Sequence, residues 1–187
     1  MGAIETADSF LKAKMGCSHT NDRPSFIFEI ENYSNQNLII KSIRKKCATT
    51  MTVAPSTVIA GTVEAFSAKS NVGLTGTCGL VVWDIASEDQ KQMLAVYWDM
   101  PADFQIHTYR NTLGFGVFDS GNVDNLFDDF AGGKGLTSAY VTKYFYPEKA
   151  NPLIFTDGDW YIRGAMTTAH NGRIKVLGSH LGPAYVH

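Results

Sequence analysis

The sequence predicts a mostly β protein: a two-sheet β-sandwich flanked by a leading amphipathic helix and a second short helix. Three observations predict it. From Arg23-Pro24 onward, apolar residues recur with period two in short runs, separated by clusters of Asn, Gly, Ser or Pro. Ahead of that point the spacing is helical instead. The chain has 187 residues, 44% of them hydrophobic and 12% aromatic, enough to fill one core. A single domain over 1–187 follows, with residues 1–22 as a helical leader and 23–187 as the sandwich.

The leader is read from Ile4, Ala7, Phe10, Leu11 and Met15, which fall on one side of a helix over 3–15, with Glu5, Asp8, Lys12 and Lys14 elsewhere and Gly16 as a stop. Phe26, Phe28 and Ile30 then share one side of a first strand, and Asn32 to Asn37 make a polar turn before a strand at Leu38–Ile43. Further runs predict strands at Thr49–Val53, Val58–Phe66, Thr77–Ile85, Gln92–Trp98, Leu113–Phe118, Trp160–Thr168 and Arg173–Leu177. Within Thr77–Ile85, Val81, Trp83 and Ile85 alternate with Leu80, Val82 and Asp84, so one face lies in a core and the other is partly covered. Asp119 to Gly135 reads as a Gly- and Asp-rich loop. Residues 134–146 break the β pattern, and Tyr140 and Tyr144, four apart, would share a face of the second helix.

Charge and motif content narrow the function. Sixteen basic residues nearly balance eighteen acidic ones, so no global field draws the chain to nucleic acid, which is not an expected partner. No apolar run approaches the ~18–20 residues that span a bilayer. Residues 1–20 also lack the basic start and continuous apolar stretch of a secretory signal, so a water-soluble protein is expected. Cys17, Cys47 and Cys78 are odd in number and without metal-ligand spacing, so reduced, buried thiols are expected, with a Cys47–Cys78 pair as the alternative. Asn32-Tyr33-Ser34 is a glycosylation sequon that matters only for a secreted chain. Asp119, Asp124, Asp128 and Asp129 lack the spacing of a calcium loop and read as a solvated turn. The five histidines are scattered, and no nucleophile elbow, metalloprotease motif or phosphate loop is present. Neither an enzyme nor a cofactor is expected. Trp83, Trp98 and Trp160 read as core packing.

The segment from Gly73 to Gly121 carries Leu-Thr-Gly-Thr-Cys-Gly-Leu-Val-Val-Trp (74–83), a polar turn at 87–90, Met-Leu-Ala-Val-Tyr-Trp-Asp-Met-Pro-Ala-Asp-Phe (93–104) and Leu-Gly-Phe-Gly-Val-Phe (113–118). This resembles the central hairpin and membrane-facing loop of the actinoporin family, including the moss and plant relatives of the sea-anemone toxins. The resemblance runs over about residues 23–180 and is most specific in the centre. It implies a soluble pore-forming cytolysin that acts at target membranes, secreted or released on cell damage. Such a protein binds a membrane lipid headgroup or surface glycan, forms a homo-oligomer and inserts its leading helix. Fungal fruit-body lectins share the fold, so a non-lytic carbohydrate- or headgroup-binding module is the alternative.

Carried over position by position, the resemblance assigns headgroup binding to Asp99, Pro101, His107, Tyr140, Tyr144 and Phe145. Tyrosine rings would attract a quaternary ammonium by ~0.5–2 kcal/mol each. Phe104, Ile106, Tyr109 and Arg110 would form the membrane-facing loop, and Ile4, Ala7, Phe10, Leu11 and Met15 the inserting face. Several positions depart from the family. Asp99 stands for a loop serine, His107 for a tyrosine, Phe145 for a further tyrosine, and Ile106 and Arg110 for tryptophans. The family's Arg-Gly-Asp is replaced by Thr156-Asp157-Gly158-Asp159. Fewer indoles weaken interfacial anchorage, and a carboxylate repels phosphate, so the lipid specificity of the sea-anemone toxins does not carry over with the resemblance.

Overall fold

The computed structural model describes residues 25–71, 75–86, 91–101, 111–121, 123–133, 139–144, 152–157, 160–166 and 171–180, with 139–144, Asp157 and 171–180 as backbone. The leading helix, the loop 102–110 and Phe145 lie outside them. The described residues form eleven strands and one helix: β1 (Ser25–Asn32), β2 (Leu38–Lys46), β3 (Thr49–Val53), β4 (Val63–Ser70), β5 (Thr77–Ile85), β6 (Gln92–Met100), β7 (Asn111–Asp119), α1 (Leu126–Gly132), β8 (Ala139–Tyr144), β9 (Leu153–Asp157), β10 (Trp160–Met166) and β11 (Asn171–His180). They build a six-stranded sheet, β3-β4-β1-β11-β10-β9, and a five-stranded sheet, β2-β5-β6-β7-β8. All pairings are antiparallel except β1 with β11, which is parallel.

The main core lies between the sheets and is filled by the alternate residues of each strand. Phe26, Phe28 and Ile30 of β1 meet Trp83 of β5 and Trp98 of β6, all buried. Phe28 stacks on Phe66 at 4.5 Å between ring centroids, and Trp98 stands 4.9 Å from Phe26 and 5.0 Å from Phe28. The indole N–H groups are satisfied internally: Trp83 donates to the Ser56 carbonyl at 2.9 Å, Trp98 to Thr77 Oγ1 at 3.2 Å and Trp160 to Gln92 Oε1 at 3.0 Å. All three tryptophans are therefore core residues, as their sequence setting predicted.

A second apolar layer covers the outer face of the five-stranded sheet. Leu80, Val82, Ala95 and Tyr97 meet Leu126, Phe127 and Phe130 of α1. Here the expectation of a loop over 119–135 is corrected. The Asp and Gly content masks a short amphipathic turn whose apolar residues at 126, 127 and 130 share one side. Gly133, at φ 59°, ends it in the left-handed conformation. Two acids of this segment are ion-pair partners of β2: Arg44 pairs with Asp124, and Lys46 reaches Asp128 at 2.7 Å while its ammonium lies 4.3 Å from the Phe127 ring.

Three further expectations are corrected. The second helix over 134–146 does not include 139–144, which forms β8 against the edge of β7, with Tyr140 opposite Phe115 and Tyr144 opposite Asn111. Ala-Tyr-Val-Thr-Lys-Tyr is strand-favouring, and an available edge supplies a ladder of backbone hydrogen bonds that outweighs one i,i+4 pair. The expected strand Val58–Phe66 begins only at Val63, because Gly61 at φ 73° turns the chain and leaves Val58 as an isolated bridge to Leu38. Finally, Cys47 and Cys78 are joined in a disulfide with Cα atoms 5.5 Å apart, not held as reduced thiols. A separation of 31 residues hid the pairing, whereas the β2–β5 register, which sets Lys46 opposite Cys78, produces it. Cys47 and Ala48 both have positive φ, 55° and 53°, and this tight turn carries the chain from one sheet to the other.

The sequon is also resolved. Asn32 is 1% exposed, and its Nδ2 donates to the carbonyls of Gln36 and Val58 while its Oδ1 accepts from Ser34. It organises the β1–β2 turn.

Candidate functional site: the loop-bearing end of the sandwich

Strand register defines one end of the molecule. In the five-stranded sheet, β5 begins there at Thr77, β6 ends at Met100, β7 begins at Asn111 and β8 ends at Tyr144. In the six-stranded sheet, β1 begins at Ser25 opposite Lys69, and Ser70 pairs with Thr49. Side-chain bonds tie the two rims together. Thr49 Oγ1 donates to the Cys78 carbonyl at 3.0 Å and accepts from the Cys78 N–H at 2.9 Å, and the Ser70 and Thr75 hydroxyls meet at 2.8 Å. Residues 102–110 leave and return at this end, and residues 1–24 join the fold there through Ser25.

The base of the loop is closely fitted. A Cβ on Gly76 would collide with the Met100 carbonyl oxygen and the Pro101 Cα, so only glycine lets the two backbones approach this way. One ladder row then runs Cys78, Asp99, Thr112, Lys143 across four strands. Asp99 is half-buried, and it stands two residues from Tyr97 on the same side of β6. Burial first, and the Asp99 carboxylate second, push the Tyr97 phenol above its ordinary range. A carboxylate in this position favours a cationic group at the rim over an anionic one.

Of the residues singled out by resemblance, Asp99, Pro101 and Tyr144 come together at this end. Tyr140 lies four strand residues back along β8, ~13 Å at ~3.3 Å per residue rather than one helical turn from Tyr144. The expected pair of rings on one helix face is therefore not formed there. His107, Phe104, Ile106, Tyr109, Arg110, Phe145 and the leader positions Ile4, Ala7, Phe10, Leu11 and Met15 lie outside the described residues. Sequence reasoning missed Thr112 and Lys143, which only the β6–β7–β8 register aligns with Asp99. It also missed the convergence of Cys47, Cys78 and Asp99, whose ligand atoms lie within 4.8 Å of one another, although both sulfurs are committed to the disulfide.

No protein-family model matches the chain. Among curated proteins, it is 26% identical over 172 residues to Tereporin-Ca1 of Terebra anilis, covering 87% of each protein. It is 25% identical over 166 residues to Tereporin-Ts1 of Terebra subulata, covering 83% of this chain and 77% of that one. Echotoxin-2 of Monoplex parthenopeus is 20% identical over 178 residues, with 92% of this chain and 63% of that protein covered. The crystal structure of the lipid binding protein Nakanori aligns with a TM-score of 0.66 at 15% identity, over 94% of this chain and 78% of that one. At that identity the likeness establishes the fold. The chain thus has the actinoporin-like sandwich fold, and its sequence is similar to the two tereporins and to the echotoxin.

Proposed function

We propose that this chain is a membrane-acting cytolysin that docks through the 102–110 loop, oligomerises on the target surface and inserts its leading segment. The observation that carries this reading is its similarity, along most of its length, to two tereporins and an echotoxin. The lipid-binding fold neighbour supports the membrane half of it. Geometry adds a third support. Ser25, Pro101 and Asn111 lie at one end, so the segment to be inserted and the loop to be docked join the sandwich on the same side.

In this reading Phe104, Ile106, Tyr109 and Arg110 contact the interface, while Asp99, Pro101, His107, Tyr140, Tyr144 and Phe145 surround the headgroup or glycan. The strand setting of Tyr140 makes Tyr144 the stronger of the two tyrosine candidates. No helix among the described residues is long and apolar enough to cross a membrane, so a helical crossing would fall to the leader. Residues 3–15 reach only ~20 Å at 1.5 Å per residue, and continuation to Asp22 brings the length to about the 30 Å of hydrocarbon. The disulfide suits a protein that works outside a reducing compartment.

A non-lytic headgroup- or glycan-binding module is the second reading, favoured by the strand conformation at Tyr140 and Tyr144, which departs from the arrangement expected of the toxins. Dye release and vesicle co-sedimentation separate the two, using vesicles of varied headgroup composition. The full chain should bind and leak, and a chain lacking residues 1–16 should bind without leaking. Binding by both forms with leakage by neither would establish the second reading. Binding by neither form on any composition would remove both.

A further inference from the structure

The β2–β3 corner brings two sulfurs and a carboxylate oxygen within 4.8 Å of one another, from Cys47, Cys78 and Asp99. Cys47 is exposed on the turn, Cys78 is buried on β5, and Asp99 is half-buried directly opposite Cys78 in the β5–β6 ladder. We infer that reduction of the Cys47–Cys78 disulfide turns this corner into a site for a soft divalent cation, with Zn2+ the fitting ion. Two thiolates and the Asp99 carboxylate would hold it, and a fourth position stays open to water.

The chemistry balances with an external dithiol as reductant. One reductant thiolate attacks the exposed Cys47 sulfur, the S–S bond breaks and Cys78 leaves as thiolate. The second reductant thiol then displaces Cys47, so two electrons and two protons pass to the protein and the reductant becomes a disulfide. The freed sulfurs must separate from bonding distance to van der Waals contact. Two thiolates on one tetrahedral zinc sit about 3.8 Å apart, given Zn–S bonds of ~2.3 Å, so relaxation moves the sulfurs towards the ligand geometry. Coordination releases both thiol protons, which makes the affinity fall as the pH is lowered.

The scaffold around the three ligands does not depend on the S–S bond alone. Thr49 Oγ1 holds both backbone groups of Cys78, and the Asn71 N–H donates to the Ala48 carbonyl at 2.9 Å, closing the turn. Hard cations such as Ca2+ are not served by two sulfurs, and the oxidised corner, whose sulfurs are neutral, offers only Asp99.

Cobalt(II) titration followed by Zn2+ competition tests the inference, using the full chain with Cys17→Ser so that only the paired cysteines report. The chain is reduced with a phosphine, which is then removed without air. The reduced chain should bind one equivalent of Co2+, with thiolate-to-metal charge transfer and the intense visible bands of four-coordination, and Zn2+ should displace it. The oxidised chain should show neither. Asp99→Asn should weaken Zn2+ binding by on the order of tenfold or more. Cys78→Ser should abolish the charge-transfer band, and Cys47→Ser, at the exposed turn, carries the same test should the buried substitution not fold. Equal binding by reduced and oxidised chains, a six-coordinate spectrum or an unchanged affinity in Asp99→Asn would overturn it. So would a reduced chain that loses its β circular dichroism and does not regain it with Zn2+.

Discussion

Two glycines mark where the largest rings of the core come to rest. A Cβ on Gly79 would run into the Trp98 indole and the Arg44 carbonyl, and one on Gly164 into the Phe115 ring. Each gap in one strand thus accepts a ring from its neighbour or from the facing sheet, which is how bulky residues fit at native density. Tyr97 shows the same packing with a titratable group. Its ring stacks on Phe130 at 5.6 Å and meets Phe127 edge-on at 5.4 Å, under α1. Burial raises its phenol above the ordinary value of 10.0, with Asp99 adding to the effect. Below about pH 10 folded and unfolded chains both keep the proton, so this group adds no pH dependence; above it the unfolded chain releases a proton that the native chain retains, and stability falls as pH rises. Urea midpoints measured across the alkaline range should therefore drop more steeply for the natural chain than for Tyr97→Phe. Parallel slopes would remove the effect. The burial of Trp83, Trp98 and Trp160 was legible from their residue type within a β-sandwich, whereas nothing local in Asn32-Tyr33-Ser34 signals that the Asn32 amide is spent on a turn.

At the scale of elements, α1 is held by two unequal forces. Leu126, Phe127 and Phe130 bury themselves on β5 and β6, while Arg44 and Lys46 of the edge strand β2 reach across to Asp124 and Asp128. The second set is largely solvent-exposed and is worth about 0–1 kcal/mol per pair. The first is worth more: Phe130→Ala should cost about 3–5 kcal/mol, and Arg44→Ala or Lys46→Ala no more than about 1 kcal/mol each. Chemical denaturation of the three variants checks the ranking, and a Lys46→Ala loss equal to that of Phe130→Ala would reverse it. The same segment explains where element-level reading stopped. Thr77–Ile85 and Thr49–Val53 were recoverable to the residue because both are rich in β-branched and apolar residues and are bounded by turn residues, with Gly76 ahead of the first and Pro55 just after the second. In α1 only one turn and a half is apolar among Asp and Gly, and in β8 a tyrosine pair with helical spacing sits on a chain whose neighbour offers an open edge. Tertiary pairing decided both, and a window of local sequence does not contain it.

The whole molecule is closed by its first and last described strands, since β1 finds β11 at its side and the six-stranded sheet is complete only when both are in place. The turn that carries the chain from one sheet to the other is fastened to β5 by the Cys47–Cys78 bond, which spans 31 residues. Reducing it should lower the unfolding free energy by about 3–4 kcal/mol, by the entropy of the loop it closes. The measurement is the urea midpoint with and without reductant. A midpoint unmoved by reduction would mean that the cross-link does not constrain the unfolded chain. The overall architecture was readable because strand alternation and the 73–121 segment agree on it; the cross-link was not, because spacing along a chain does not specify distance through a sheet. The parallel pairing of β1 and β11 has a practical corollary for handling the protein. Ser25 and His180 stand at opposite ends of the sandwich, about 30 Å apart over the nine steps from Asn171 to His180 at ~3.3 Å each, so a dye fixed at Ser25 would report from beside Pro101 and Asn111, while one fixed at His180 would report from the remote pole.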